Sequence, residues 1–253
     1  MPEVSDPTLI GTGACADAPV FRHLASDVHV AGIDRHVVVL NLSHDRYLNL
    51  SYPHSQALRQ LIGWPHDGGT TADALLATQA MFEAQGILAP LARATPDPRI
   101  ATRDMPPRLG FDAWLAMPAD VARKPRARDV MRAGYWLWQA QRVTRRARMR
   151  GVVDMVERTQ AGGATQYGSP QDYAPYVAAM HRAALVYPQC SPCLPWYAAL
   201  TAWCARDGLR LRLVIGVQRQ PFYAHAWTES DSRVIGDDLR RREQLAVIYE
   251  TPA

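Results

Sequence analysis

Apolar residues first cluster in short strand-type runs, Val28–Val30, Val37–Leu42 and Arg46–Leu50. Turn-forming residues separate them, Gly32–Asp34 and then Ser43–Asp45, and connections this short predict an antiparallel three-stranded meander. The period then changes. Ala57, Leu58, Leu61 and Ile62 predict a helix over Pro53–Ile62, and Gly68-Gly69 separates it from the next. Thr70, three residues before Asp73, predicts a capping-box-like start to a second helix carrying Ala74, Leu75, Met81 and Phe82, which Gly86 stops. Residues 1–19 lack periodicity and read as a loose tail. Residues 20–90 thus make one unit of three strands and two or three helices. At roughly 70 residues it is only marginally stable by itself.

From Ala89 to Pro107, Pro90, Pro96, Pro98, Pro106 and Pro107 break regular structure, so the stretch reads as a linker. A second unit, residues 108–253, opens with Phe111–Met117 and the Trp- and Arg-rich helix Arg126–Arg150. Consecutive Tyr135, Trp136, Leu137 and Trp138 place apolar groups on more than one side, so this helix is expected to be buried near its middle. Its C-terminal end is basic, which suits the helix dipole. Gly162-Gly163 precedes another helical stretch, Tyr173–Leu185. Ser191 then reads as an N-cap and Pro192 as the first residue of a helix running through Leu194, Ala198, Leu200, Ala202 and Trp203 to Gly208. Leu209, Leu211, Leu213, Ile215 and Val217 alternate with Arg210, Arg212 and Gly216, a strand with one buried face. The runs Phe222–Glu229 and Arg233–Asp237 flank the turn residues Ser230, Asp231 and Ser232. The fold class is α+β.

Composition adds compartment and charge. Nearly half of the residues, 48%, are apolar, enough to build a core. No signal-peptide pattern opens the chain and no stretch nears the ~18 apolar residues of a membrane span, so a soluble cytoplasmic protein with reduced cysteines is expected. The net charge of +4 is unevenly placed. Arg123, Lys124, Arg126, Arg128, Arg132, Arg142, Arg145, Arg146, Arg148 and Arg150 are opposed within their own stretch only by Asp129. They form either a solvated helix face or a patch for an acidic partner.

The chemistry concentrates near Cys193. At the second position of its helix, the thiol lies beside free N–H groups and the positive dipole end, which favour thiolate and could also stabilise an oxyanion. A hairpin centred on Asp231 sets His225 opposite Asp237, within reach of a carboxylate–imidazole bond; a bulge would substitute Asp238. A thiol nucleophile needs a base, and the base an orienting acceptor. Taken singly, the three also fit an inert buried Cys, a core His and a turn Asp. Cys190 and Cys193 form a CxxC, the pattern of a redox pair or half a zinc site. Cys204, however, lies about 16 Å down the helix from Cys193, too far to share one metal. No cofactor or metal is expected.

The stretch from Cys193-Leu194 through Leu211–Val217 and Ala224–Trp227 to Val234–Asp237 resembles the lasso-peptide B protein, a transglutaminase-like leader peptidase. The resemblance spans residues 108–253 and implies a transglutaminase/papain-like cysteine peptidase domain with Cys193, His225 and Asp237 as its triad. The first unit resembles the small winged-helix-like recognition domain often fused to such peptidases, with its middle helix short or missing between Leu61 and Thr70. There the leader peptide adds as a strand, implying Arg46, Tyr47, Leu48, Asn49 and Leu50 as the receiving edge and Met81 and Phe82 on the facing helix. A precursor peptide, a partner cyclase and a preference for Thr just before the final leader residue are implied as well. No membrane or nucleic-acid partner is. The same triad would serve an acyltransferase or amidase, and the basic stretch alone would serve a non-enzymatic binding protein.

Overall fold

The computed structural model describes residues 21–89, 102–103, 124–163, 166–186 and 193–252. The tail read over residues 1–19, the opening stretch Phe111–Met117, most of the proline-rich linker, Cys15, Cys190 and the capping pair Ser191-Pro192 lie outside these residues.

The meander is there: β1 (Val28–Ile33), β2 (His36–Asn41) and β3 (Arg46–Asn49) pair antiparallel in sequence order. The first turn is tighter than expected and centres on Asp34-Arg35, with Asp34 in the left-handed region. Helices α1 (Tyr52–Leu61) and α2 (Ala72–Ala84) follow, with irregular chain between them. The cap of α2 is Thr71, not Thr70; its hydroxyl accepts from the Ala74 N–H at 3.4 Å. Gly86, at φ +66°, lets the chain turn away after α2. The described residues of this unit hold two helices, one fewer than a winged helix. The linker carries one strand the prolines did not suggest, β4 (Thr102–Arg103), which pairs parallel to β1.

Strands β1 and β2 are buried on both faces, and the two faces serve different cores. Val28, Val30, Val37 and Val39 pack with Leu58, Leu61, Ile62 and Phe82 of α1 and α2. The alternate residues Ala31, Ile33, Val38 and Leu40, with Leu42, join the core of the second unit. Each large apolar side chain so buried contributes about 1.5–3 kcal/mol, which offsets the small size of the first unit.

The second unit is built on α3 (Ala127–Gly163), β5 (Gln166–Tyr167), α4 (Pro170–Val186), α5 (Cys193–Arg206), β6 (Leu209–Arg210), β7 (Arg212–Gln218), β8 (Tyr223–Ser230), β9 (Arg233–Ile235), α6 (Arg241–Gln244) and β10 (Ala246–Glu250). Its main sheet has the order β10-β7-β8-β9, all antiparallel, and β5 pairs with β6 separately. Helix α5 is buried along nearly its whole length, against α3, α4 and the sheet. The strand expected as Leu209–Val217 is split at Leu211, and β7 is buried on both faces rather than one.

Helix α3 outruns the Arg126–Arg150 prediction and is interrupted at Arg148 (φ 53°, ψ −153°). The first sheet clasps the chain beside this break. The Met149 N–H donates to Asp45 Oδ1 at 3.2 Å, and Arg150 pairs with Asp27 and, at 2.9 Å, with Asp154. The basic stretch is therefore countered by acids from elsewhere in the chain. Arg132 pairs with Asp207 at 2.6 Å while covering the Trp203 ring, and Arg142 lies over Trp138. Arg126, Arg128 and Arg146 are exposed. No helix among the described residues is long and apolar enough to cross a membrane.

Candidate active site

Cys193 opens α5, half-buried, at the helix end where the first N–H groups lack intrahelical partners. His225 lies in the middle of β8, opposite Gly216 on β7. A Cβ on Gly216 would meet the Trp227 ring at 2.6 Å and Leu245 at 2.8 Å, so glycine here lets Trp227 lie flat against the sheet. The His225 ring is sandwiched between Tyr223 (centroids 5.9 Å apart, 14° between planes) and Trp227 (6.4 Å, 18°), while Tyr197 meets it edge-on at 5.8 Å. These contacts fix the ring plane.

Asp237 reaches His225 by a different route from the one expected. The hairpin pairs Ser230 with Arg233, Glu229 with Val234 and Thr228 with Ile235, around a two-residue turn at Asp231-Ser232 in which both residues have positive φ. This register is one residue off the prediction, and continued it would set His225 against Asp238. The ladder instead stops at Ile235. Gly236, at φ +74°, bends the chain and delivers Asp237 to the ring. His225 Nε2 donates to Asp237 Oδ2 at 2.6 Å, with both side chains almost fully buried. Asp238 takes a structural place: its carboxylate accepts from the Arg240 N–H at 2.9 Å and from Gln244 Nε2 at 3.0 Å.

The carboxylate of Asp237 is saturated with donors. Oδ2 also accepts from the Tyr197 hydroxyl at 2.7 Å, and Oδ1 accepts from Arg241 Nε at 2.8 Å, Arg241 Nη2 at 2.7 Å and the Asp238 N–H at 2.7 Å. Burial by itself would raise the pKa of Asp237, but hydrogen bonds from His225 and Arg241 hold it below the ordinary carboxylate value. The buried Arg241 guanidinium compensates the charge in turn. Neither Tyr197 nor Arg241 was anticipated, though spacing held a signal. Tyr197 lies four residues after Cys193 on one helix face, and Arg241 four residues after Asp237.

His225 bonds Cys193 as well as Asp237. With Nε2 on the carboxylate, Nδ1 is the ring nitrogen left for the thiol. Burial opposes charge on both partners, yet the Cys193 thiol is lowered from its ordinary value by the His225 hydrogen bond, the imidazolium charge and the backbone N–H groups of Ala226 and Leu194. His225 is raised: burial pulls it down, but the Asp237 and Cys193 hydrogen bonds outweigh that. The arrangement favours a thiolate–imidazolium pair, with the imidazole oriented by a carboxylate that stays charged. It can deliver a nucleophile to an acyl carbon and a proton to a leaving group.

Cys204, on the same helix, is fully buried and its thiol is pushed up by burial and by Asp207. Among the described residues no cluster of three or more His, Cys, Asp or Glu side chains is assembled for a metal.

Of the other residues singled out, β3 is an edge strand of the described sheet, with Arg46 and Asn49 exposed and Tyr47, Leu48 and Leu50 half-buried. Met81 is half-buried, but Phe82 is sealed in the core between α2 and the sheet. It supports the fold rather than offering a contact surface, because its alternating partners Val37 and Val39 enclose it.

The comparison with known families covers every residue of this site. Residues 136–250 fit the family model described as Transglutaminase-like superfamily. They form a transglutaminase-like domain. A stretch of 60 residues is 42% identical to the microcin J25-processing protein McjB of Escherichia coli, covering 24% of this chain and 29% of that protein. No solved structure matches.

Proposed function

We propose that this chain is a cysteine peptidase that binds and removes the leader of a ribosomally made precursor peptide during lasso-peptide maturation, residues 20–90 gripping the leader and residues 108–253 making the cut. The observation that carries the reading is the Cys193–His225–Asp237 relay at the start of α5. The similarity to a protein named for processing microcin J25 supports the substrate class.

In the proposed reaction the Cys193 proton resides on His225 and the thiolate sulfur attacks the carbonyl carbon of the leader–core bond. The C–N bond breaks as His225 returns the proton to the departing amine, freeing the core and leaving the leader as a thioester. Water then attacks the thioester. Its proton passes to His225 and on to the sulfur, and the leader leaves as a carboxylic acid. The edge of β3, unpaired among the described residues, offers backbone groups to an extended leader, with pockets for alternate side chains supplying selectivity. Tethering raises the local concentration of the scissile bond. The core would pass to a cyclase that closes the ring, in the cytoplasm.

Incubating the precursor with wild-type protein and with Cys193→Ala tests this. The wild type should yield two fragments whose masses sum to precursor plus water, and the variant none while still binding leader. An adduct mass instead would identify an acyltransferase, and fragments from Cys193→Ala would refute the assignment.

A further inference from the structure

The edge strand of the first sheet meets the β7–β8 turn of the second unit, which leads directly into the strand that carries His225. Tyr47 and Asn49, alternate residues of β3, share the face turned to the second unit. The Tyr47 ring packs on Phe222 with centroids 5.5 Å apart, and Asn49 Oδ1 accepts from Arg219 Nε at 3.2 Å. Arg219 and Phe222 belong to the turn between β7 and β8. Tyr223, next along, stacks on the His225 ring. The Tyr47 side chain packs against the core cluster that also receives Cys193. Burial first, and then the charge of Cys193, push its hydroxyl well above the ordinary tyrosine range. Tyr47 is half-buried, and among the described residues its hydroxyl has no hydrogen-bond partner.

We infer that Tyr47 forms part of the wall of the cleavage site and donates its hydroxyl proton to a backbone carbonyl on the acyl side of the scissile bond. The direction follows from the chemistry of the proposed function, on which this inference rests. The fragment N-terminal to the cut becomes the thioester, and that fragment is the one β3 would hold. A chain leaving the β3 edge for Cys193 passes Tyr47 on the way. Phenolic O–H to amide C=O is a neutral bond, so its loss is expected to cost about fivefold in rate.

Acylation of the full chain by two p-nitrophenyl esters tests it, one of acetate and one of benzyloxycarbonyl-glycylglycine. Each forms a thioester on Cys193 with release of p-nitrophenolate, and only the second carries backbone carbonyls. In Tyr47→Phe the ratio of dipeptide-ester to acetate-ester rates should fall about fivefold. Phe222→Leu, which disturbs packing but keeps the hydroxyl, should move both rates together. An unchanged ratio in Tyr47→Phe overturns the inference and leaves the peptidase reading standing; so does a wild type acylated by acetate but not by the dipeptide. Absence of acylation of wild-type Cys193 by either ester overturns both.

Discussion

Helix α5 carries two cysteines about three turns apart, and its two ends treat the same side chain in opposite ways. Cys193 sits at the N-terminus, half-buried, with two backbone N–H groups and an imidazole beside it, and its thiol is lowered. Cys204 sits near the C-terminal end in full burial, where Asp207 adds negative charge, and its thiol is raised. Both thiols are desolvated. What separates them is the presence of donors to the charged form, which at Cys193 more than offset burial and at Cys204 are replaced by a like charge. Residue type makes a nucleophile possible. Position along the helix and the partner on β8 decide which thiol is lowered.

The comparison breaks most sharply at Cys193. Cys193→Ala should lower precursor cleavage by about 10³-fold or more, measured by single-turnover mass spectrometry. Cys204→Ala should leave the rate within a few-fold and instead cost about 0.5–3 kcal/mol of stability in urea unfolding. Comparable losses of activity in both would remove the distinction.

Orientation comes next. Asp237→Asn should slow turnover by about 10²-fold or more, whereas Asp238→Asn, which loses bonds to Arg240 and Gln244, should act on stability and change the rate little. Equal rate losses would mean that the bend at Gly236 does not select Asp237. Tyr197→Phe removes one of several donors to that carboxylate and should cost about tenfold.

Labelling sharpens the contrast without a substrate. Because the Cys193 thiol is lowered, its alkylation by iodoacetamide should plateau at a lower pH than a free thiol and remain fast where a free thiol is mostly protonated. Cys204 in the folded protein should not react.

The smallest effect is on acid stability. Asp237 is depressed in the folded state, so its contribution is complete above the ordinary carboxylate range and is lost as pH falls through the lowered folded value. The urea midpoint of Asp237→Asn should therefore fall less than that of the wild type between pH 5 and about pH 2.

Local patterns specified a good deal. The three-stranded meander, both early helices, a helix that carries Cys193 near its start and stops before Gly208, and the hairpin that follows were legible because hydrophobic period, turn residues and helix punctuation act within a few residues of chain. Cys193 and His225 could be singled out for the same reason. What local patterns left open was settled by packing. The hairpin register slipped by one residue because both Asp231 and Ser232 enter the turn, and only the bend at Gly236 brings Asp237 to the ring. Phe82 reads as a surface contact until the sheet closes over it. The charge of the Arg-rich stretch looks uncompensated until Asp27 and Asp207 arrive from distant parts of the chain. Tyr47, 175 positions before Phe222 in the chain, packs on its ring because the second face of the first sheet has to be covered. Periodicity acts along the chain and fixes elements; burial acts through space and decides which of their side chains meet.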